Sequence, residues 1–141
     1  ANMGLAVNPV PGTLNVSNMF VIDQTKQGAN PTLNSLAPNA YVYVPTACQS
    51  ATASCHLHMN LHGCTQSYTS VGTKYVLQTQ LNEWAEANNI IILYPQATAD
   101  LMLDNPEGCF DWWGYASATF AQKSGVQISV LRNLIKLVGG F

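Results

Sequence analysis

The sequence predicts an α/β fold, in which an open sheet of few strands packs against helices. Two observations predict this class. The run Ile90–Tyr94 is aliphatic or aromatic throughout and is followed by Pro95, as is typical of a parallel strand that is buried on both faces. Along the chain it follows a predicted strand and a predicted helix, and such a unit forms a right-handed crossover between parallel strands. Ligands in open α/β sheets usually bind beyond the carboxyl ends of the strands.

The N-terminal part of the chain predicts a β-hairpin. A first strand is expected over residues 13–22, and its partner over residues 41–44, where aromatic and β-branched residues alternate before Pro45. Between them, residues 24–38 are rich in Gly, Asn and Pro and predict a loop. Loops of this length are often functional or mobile.

The middle of the chain predicts the crossover unit. A third strand is expected over residues 57–61, directly before His62-Gly63-Cys64. A helix is expected over residues 73–88, because Leu77 begins an apolar stripe with the i, i+4, i+7 and i+8 spacing of one helical face. The strand that starts at Ile90 completes the unit.

The C-terminal part predicts an irregular stretch followed by one helix. Residues 96–123 show neither helical nor strand periodicity. The helix is expected from Ser124, where Gln127 is placed to complete a capping box. Gly139 and Gly140 are expected to end it.

Composition excludes several classes of function. Only 9% of the residues are charged, against about 25% in a typical soluble domain, and the formal net charge is −2. The five basic residues are scattered, so there is no basic stripe for binding nucleic acid. The longest aliphatic run is far shorter than the roughly 20 residues that span a bilayer, and we expect no membrane segment.

The low charge is more common in secreted proteins than in cytosolic ones, and we expect an extracellular protein. No signal peptide opens the chain, so we expect any such peptide to have been removed. The length fits one domain, which we divide into an N-terminal segment, residues 1–11, and a single α/β domain, residues 12–141. An N-glycosylation sequon, Asn15-Val16-Ser17, falls inside the first predicted strand and is weak evidence of modification, while proline excludes Asn30-Pro31-Thr32.

The chain has four cysteines, an even number without CxxC spacing. Together with the low charge, this favours two disulfides in an oxidising compartment over a zinc site. We prefer the pairs Cys48–Cys55 and Cys64–Cys109. The second pair would tie the loop after the third strand to the aromatic cluster at residues 110–115.

The tripeptide His62-Gly63-Cys64 has two interpretations. It is either a simple strand-ending turn or a loop that presents a backbone N–H to a developing oxyanion, as HGG-type motifs do in α/β-hydrolases. Glycine allows the close approach that such a donor needs. A cysteine nucleophile at Cys64 is disfavoured, because His62 is too near along the chain for triad geometry and an oxidising compartment would consume the thiol.

Three histidines lie in or next to the predicted third strand. His56, His58 and His62 alternate with apolar residues, so all three are expected on one face. Alternate imidazoles can bind zinc, but the sequence shows no partners that would orient them. We therefore expect structural histidines and neither a metal nor a cofactor.

Trp112 and Trp113 leave two alternatives open. Buried, they belong to the core; exposed near the carboxyl edge of the sheet, they form a platform for an apolar or ring-bearing substrate. Asp111 has no visible partner and is expected to be structural. The chain contains no Gly-x-Ser-x-Gly, and Ser67 and Ser70 lack its flanking elbow. A hydrolase interpretation thus has an oxyanion donor but no nucleophile.

An ordered set of motifs resembles a known family. Cys55-His-Leu-His-Met-Asn-Leu-His-Gly-Cys64-Thr-Gln-Ser-Tyr is similar to the extracellular poly(3-hydroxybutyrate) depolymerase and feruloyl-esterase-like group of α/β-hydrolases. The similarity extends over residues 12–14, 40–45, 84–96, 105–114 and 125–128. It is to the circularly permuted, single-domain fungal-type depolymerases, in which the half with the nucleophile elbow comes first. This chain resembles only the second half.

The resemblance implies roles for particular residues. The backbone N–H of Cys64 is the implied oxyanion donor, and Cys64 is implied to bridge to Cys109. Trp112 matches a tryptophan that lines the polymer-binding crevice, with Trp113 and Phe110 as neighbours of less support. The family's serine, aspartate and histidine lie outside this chain.

The implied protein is a secreted serine esterase without a cofactor, acting on poly(3-hydroxybutyrate) or related short-chain esters. We expect a partial α/β-hydrolase sheet, with an N-terminal hairpin, a βαβ unit and a C-terminal helix. A missing or separate segment carrying Gly-x-Ser-x-Gly would complete it, and the chain alone is expected to be inactive. The alternative is a non-catalytic extracellular module that binds polymer or a partner.

Overall fold

A computed structural model describes residues 10–139, in which a four-stranded mixed sheet carries helices on both faces. The strands are β1 (Met19–Asp23), β2 (Asn39–Tyr43), β3 (His56–Met59) and β4 (Ile90–Tyr94), and their order across the sheet is β1-β2-β4-β3. The pairs β1–β2 and β2–β4 are antiparallel, and β3–β4 is parallel. The predicted α/β class, the N-terminal hairpin and the parallel pair are therefore confirmed.

Helices in the described part of the chain form two core layers with the sheet. They are α1 (Pro31–Asn34), α2 (Tyr68–Val71), α3 (Lys74–Gln78), α4 (Leu81–Asn88) and α5 (Val126–Gly139). The layer under α3 and α4 contains the buried residues Tyr41, Tyr43, Val76, Ala85, Ile92 and Tyr94. The layer under α5 contains Ala29, Leu36, Val42, Leu93, Ala97, Val130, Leu131 and Leu134. Because β4 contributes to both layers, it needs apolar side chains on both faces.

The first strand is shorter than expected. β1 begins only at Met19, because Val16–Asn18 form a 3-10 turn. Asn15 caps this turn: its Oδ1 accepts a hydrogen bond from the N–H of Ser17 at 3.2 Å. Asparagine side chains compete with strand hydrogen bonding in this way. The strand prediction over residues 13–18 is therefore wrong.

The loop expected over residues 24–38 contains two short helical turns, Thr25–Gln27 and α1. The fully buried side chain of Gln24 holds it in place. The amide nitrogen of Gln24 donates to the carbonyls of Ala37 (2.6 Å) and Gln96 (3.0 Å), and its Oε1 accepts from the N–H of Gln96 (3.1 Å). These bonds fasten the loop to the segment that follows β4.

The single helix expected over residues 73–88 is divided into α3 and α4, so that expectation is wrong. The chain turns at Gln80, whose φ of 62° is left-handed. The buried side chain of Asn82 occupies the break: its Nδ2 donates to the carbonyl of Val76, and its Oδ1 accepts from the hydroxyl of Tyr94, both at 2.7 Å. An apolar stripe does not indicate such a break, because a polar tertiary contact creates it.

The last helix begins at Val126, two residues after the expected start at Ser124. The predicted capping box is wrong, because the buried amide of Gln127 makes other bonds. Its Oε1 accepts from the N–H of Asp111 at 2.8 Å, and its Nε2 donates to the carbonyl of Asn34 at 2.7 Å. Gln127 thus joins α5 to two loops at the carboxyl edge of the sheet.

Two expectations fall beyond the described residues. The predicted N-terminal segment, residues 1–11, lies almost wholly outside them. So does Gly140, one of the two glycines expected to end α5, whose last residue is Gly139. Between residues 10 and 139, no helix is long and apolar enough to cross a membrane.

Candidate functional site

The parallel strands β3 and β4 end side by side, and the segments after them lie in contact. The buried ring of His62 joins the two: its Nε2 accepts from the N–H of Ala97 at 3.1 Å, so its Nδ1 carries the proton and donates to the carbonyl of Gly63 at 2.7 Å. The centroid of its ring lies 4.9 Å from the ring centroid of Phe110 and 5.9 Å from that of Tyr75. His62 therefore anchors the loop that follows β3.

The histidines do not lie together as expected. β3 ends at Met59, and His56 and His58 on it are exposed, whereas His62 is buried beyond the strand. The expectation of one shared face is therefore wrong for His62. Among residues 10–139, no group of three His, Cys, Asp or Glu side chains could hold a metal ion.

Burial lowers the pKa of His62, and the hydrogen bond to the Gly63 carbonyl only partly opposes this. His62 stays neutral in the folded protein at a pH where it takes up a proton in the unfolded chain, near 6.5. We therefore expect the free energy of unfolding to be maintained above pH 6.5 and to fall as the pH drops below it. Urea unfolding at pH 7.5 and pH 5.5 measures this slope. His62→Gln should flatten it, and an unchanged slope in that variant would contradict the assignment.

The loop after His62 contains one backbone N–H that has no acceptor among the described residues. The N–H of Gly63 donates to Gln66 Oε1 at 2.9 Å, and the N–H of Thr65 donates to the carbonyl of Glu107 at 2.7 Å. Between them lies the N–H of Cys64, an exposed residue, for which no acceptor exists among residues 10–139. The N–H groups of the residues on both sides, Gly63 and Thr65, are hydrogen-bonded, so the N–H of Cys64 belongs to a constrained loop. Such a group can stabilise an oxyanion without reorganising.

A disulfide ties this loop to the segment after β4. The structure contains the bonds Cys48–Cys55 and Cys64–Cys109, the two pairs preferred from the sequence. Asn105 holds the far end of the second bond: its Oδ1 accepts from the N–H of Cys109 and its Nδ2 donates to the carbonyl of Cys109, both at 2.9 Å. The disulfide prediction is confirmed. Cys64 is held both by its bond to Cys109 and by the hydrogen bonds of its two neighbours in the loop.

Tyr115 strengthens the same anchor. Its hydroxyl donates to the carbonyl of Cys109 at 2.7 Å and accepts from Nε2 of Gln127 at 2.7 Å. Burial raises the pKa of Tyr115 to about 12, so the phenol remains a donor at any physiological pH. Asn105 and Gln127 were not predicted as part of this site. The only sequence signal for Asn105 was its place at the start of the Asn-Pro-Glu-Gly-Cys motif.

Trp112 and Trp113 are both exposed in the structure. The side chain of Trp112 is 70% exposed and that of Trp113 is 38% exposed, so neither is core. Their ring centroids are 5.1 Å apart with planes at 72°, and Trp113 lies 4.7 Å from Tyr115. The three rings form an aromatic platform (Trp112, Trp113 and Tyr115) three to six residues beyond the disulfide-bonded Cys109.

Asp111 shapes the loop that carries this platform. Its Oδ1 accepts from the N–H groups of Gly114 (2.6 Å) and Tyr115 (3.1 Å). Its Oδ2 accepts from those of Ala116 (3.0 Å) and Ser117 (3.3 Å). One carboxylate therefore organises four backbone donors, which agrees with the structural role expected for Asp111.

We expect Asp111→Ala to lower the free energy of unfolding by about 3 kcal/mol, because four partly buried N–H groups lose a charged acceptor. Asp111→Asn should cost about half as much, since one oxygen acceptor remains. Denaturant unfolding measures both, with the exposed Glu107→Ala as the control, whose side chain makes none of these bonds. Equal losses in the alanine variants at positions 111 and 107 would contradict the assigned role.

A cleft of about 150 Å³ lies beside the segment that follows β4. Gln96 and Ala97 form one wall, and the rings of Tyr41 and Tyr68, with centroids 5.4 Å apart, form another. Oε1 of Gln96 accepts from the N–H of Tyr68 at 2.8 Å, which fixes the start of α2 against the cleft. The cleft and the platform are both at the edge where α/β sheets bind ligands.

The fold defines an α/β protein in which a disulfide joins the segments that follow its two parallel strands. No protein-family model matches the chain. A polyhydroxybutyrate depolymerase from Talaromyces funiculosus is 37% identical over 98% of the chain, and a poly(3-hydroxybutyrate) depolymerase from Delftia acidovorans is 37% identical over 96%. The chain spans 45% and 28% of the lengths of these relatives.

Solved structures give the same result. The crystal structure of the PHB depolymerase from Penicillium funiculosum superposes with a TM-score of 0.85 at 36% identity, over 96% of this chain and 45% of that one. A PHB depolymerase variant complexed with an R3HB trimer also gives 0.85 at 36% identity, over 99% of this chain and 46% of that one. This chain is a homologue of the PHB depolymerases and corresponds to a part of such a protein, which confirms the predicted resemblance.

Proposed function

We propose that this chain is a portion of a secreted serine esterase that hydrolyses poly(3-hydroxybutyrate) or related short-chain esters. It supplies an oxyanion-hole donor, the backbone N–H of Cys64, and an aromatic substrate crevice containing Trp112 and Trp113. The serine, aspartate and histidine belong to a further segment that carries Gly-x-Ser-x-Gly. The chain without that segment is inactive.

The observation that carries this proposal is the N–H of Cys64, which has no acceptor within the part of the chain that the structure describes. It lies at the carboxyl edge of the sheet, on a loop that His62 and the Cys64–Cys109 bond hold in place. In ester hydrolysis, a serine attacks the carbonyl, and donors that face the resulting oxyanion lower the barrier. A donor without a hydrogen-bond partner in the protein breaks no internal bond when it binds the substrate.

The outer edge of β3 supports a further segment. Among the described residues, β3 pairs with β4 alone and is an edge strand of the sheet. Its partly buried residues Leu57 and Met59 pack against the layer under α5, so this face of β3 is already covered. Exposed edges of this kind invite pairing with another strand. A segment bearing the nucleophile fits there.

The relatives and the platform support the proposed substrate class. One matching structure holds an R3HB trimer. Exposed aromatic rings suit an apolar polyester chain, because they can cover its methyl and methylene groups. The two disulfides agree with export to an oxidising compartment.

A hybrid protein tests the proposal. This chain replaces the matching part of the Talaromyces funiculosus depolymerase, and hydrolysis of poly(3-hydroxybutyrate) and labelling by a serine-directed fluorophosphonate are measured. We expect the hybrid to hydrolyse the polymer and to be labelled, and the chain alone to do neither. A second hybrid, in which alanine replaces the nucleophilic serine of the other segment, is the control. A hybrid with native near-UV circular dichroism and no activity would overturn the proposal.

The exposed Trp112 also favours a second candidate, a non-catalytic module that binds polymer. In this case the chain alone adsorbs to poly(3-hydroxybutyrate) granules, and Trp112→Ala weakens adsorption about five- to tenfold, because an apolar ring leaves the contact. Trp84→Ala, on α4 and away from the platform, is the control. Adsorption that neither variant changes would exclude this candidate.

A further inference from the structure

The sequon Asn15-Val16-Ser17 lies on an exposed turn. The sequence predicts a strand over this sequon, but β1 begins only at Met19, four residues after Asn15. Asn15, Val16 and Ser17 are all exposed. N-linked glycans are bulky and require such a surface position. The sequon therefore lies at a surface position that a glycan can occupy.

The turn brings the two functional groups of the sequon together. The hydroxyl of Ser17 donates to Oδ1 of Asn15 at 2.6 Å, and the N–H of Ser17 donates to the same oxygen at 3.2 Å. Hydrogen bonds to the carbonyl oxygen of an amide withdraw electron density from its nitrogen. They make a proton on Nδ2 of Asn15 easier to lose, which a transfer to that nitrogen requires.

The nitrogen itself remains available. Nδ2 of Asn15 makes one long contact, 3.4 Å to Oδ1 of Asn18. That oxygen has a better donor in Nε2 of Gln49, at 2.8 Å. A glycosylated amide also keeps one N–H, so even the long contact can survive. The backbone N–H of Asn15 donates to the hydroxyl of Tyr43 at 3.3 Å, which fixes the turn to the core while its side chain stays exposed.

We propose that Asn15 is a site of N-linked glycosylation. The donor is an oligosaccharide carried on a polyprenyl diphosphate. A bond forms between Nδ2 of Asn15 and the anomeric carbon of the first sugar, and the bond from that carbon to the diphosphate oxygen breaks. The amide loses one proton, and the polyprenyl diphosphate leaves. The reaction consumes no oxidant or reductant.

The position of Asn15 indicates what the glycan does. Three apolar residues beside it are unusually exposed: Val16 by 58%, Phe20 by 46% and Val21 by 59%. Phe20 and Val21 belong to β1, which pairs only with β2 among the described residues and is the other edge of the sheet. Exposed apolar edge strands promote aggregation. A glycan on the turn that leads into β1 covers this edge and prevents self-association.

Cell-free translation of the full chain with a secretion leader, in the presence of microsomes, tests the modification. We expect a mass increase that peptide N-glycosidase removes. The increase should be lost in Asn15→Gln and Ser17→Ala and retained in the matched control Ser17→Thr. Because microsomal glycosylation is read from mass, it does not depend on the yield of folded protein. An unmodified chain in this assay would overturn the proposal without affecting the proposed esterase function.

Chain secreted from yeast tests the shielding role. Light scattering is compared before and after peptide N-glycosidase treatment of the same sample, so that no mutation intervenes. The enzyme leaves aspartate at position 15, and its added negative charge opposes aggregation. We expect aggregation to accelerate at least several-fold despite this charge. Equal rates before and after treatment would overturn the shielding role.

Discussion

Removing the backbone N–H of Cys64 is expected to lower kcat of the hybrid protein, in which this chain replaces the matching part of the Talaromyces funiculosus depolymerase. The expected loss is about 10²–10³-fold, the usual cost of one oxyanion-hole donor. Proline at position 64 removes this N–H but also the disulfide, so the comparison is between Cys64→Pro with Cys109→Ser and Cys64→Ser with Cys109→Ser. Both double variants lack the bond, and only one lacks the donor. The measurement is polyester hydrolysis by the hybrid protein that carries each pair.

The fold should tolerate this proline, because the N–H of Cys64 has no acceptor among residues 10–139 and its loss breaks no internal bond. Gly63 precedes it and accepts the backbone restriction that proline imposes on its neighbour. Equal melting temperatures of the two double variants would establish that stability is unchanged. Equal kcat values at equal stability would contradict the oxyanion role of Cys64.

Loss of the Cys64–Cys109 bond is expected to cost about 4 kcal/mol of unfolding free energy, and loss of Cys48–Cys55 about 2.5 kcal/mol. The difference follows from the sequence separations of 45 and 7 residues, since the longer loop gains more entropy in the unfolded chain. Serine replacing both cysteines of each pair gives two matched variants. Guanidinium unfolding measures the two losses on one scale.

Local distortion should not hide this difference. Asn105 holds both the N–H and the carbonyl of Cys109, and Tyr115 holds that carbonyl as well, so the segment keeps its anchor without the sulfur bond. A loss for the shorter loop equal to or greater than that for the longer one would contradict the entropic account. It would mean that contacts around Cys48 and Cys55 dominate instead.

Much of the fold was predictable because its signals are local. The alternating residues before Pro45 and the aliphatic run at Ile90–Tyr94 indicated two strands, since a buried strand needs apolar residues at fixed spacing. The order of strand, helix and strand indicated a parallel pair. The even number of cysteines with low charge indicated disulfides.

The errors share one cause, which is that polar side chains made hydrogen bonds that periodicity does not express. Asn15 ended the expected first strand by capping a turn, and Asn82 occupied a break in the expected helix. Gln127 was expected to cap α5 and instead joins α5 to Asp111 and Asn34. Each of these residues has one local and one distant set of possible partners, and only packing selects between them.

The sequence by itself determined the class of fold, the main strands and the motifs that resemble the depolymerases. It also placed Cys64 and Trp112 as candidates for binding and catalysis. Only the tertiary structure decided that Trp112 is exposed, that the N–H of Cys64 has no acceptor among residues 10–139 and that the sequon at Asn15 is accessible. Exposure and hydrogen bonding depend on which residues surround a group, and folding brings those residues from distant parts of the chain.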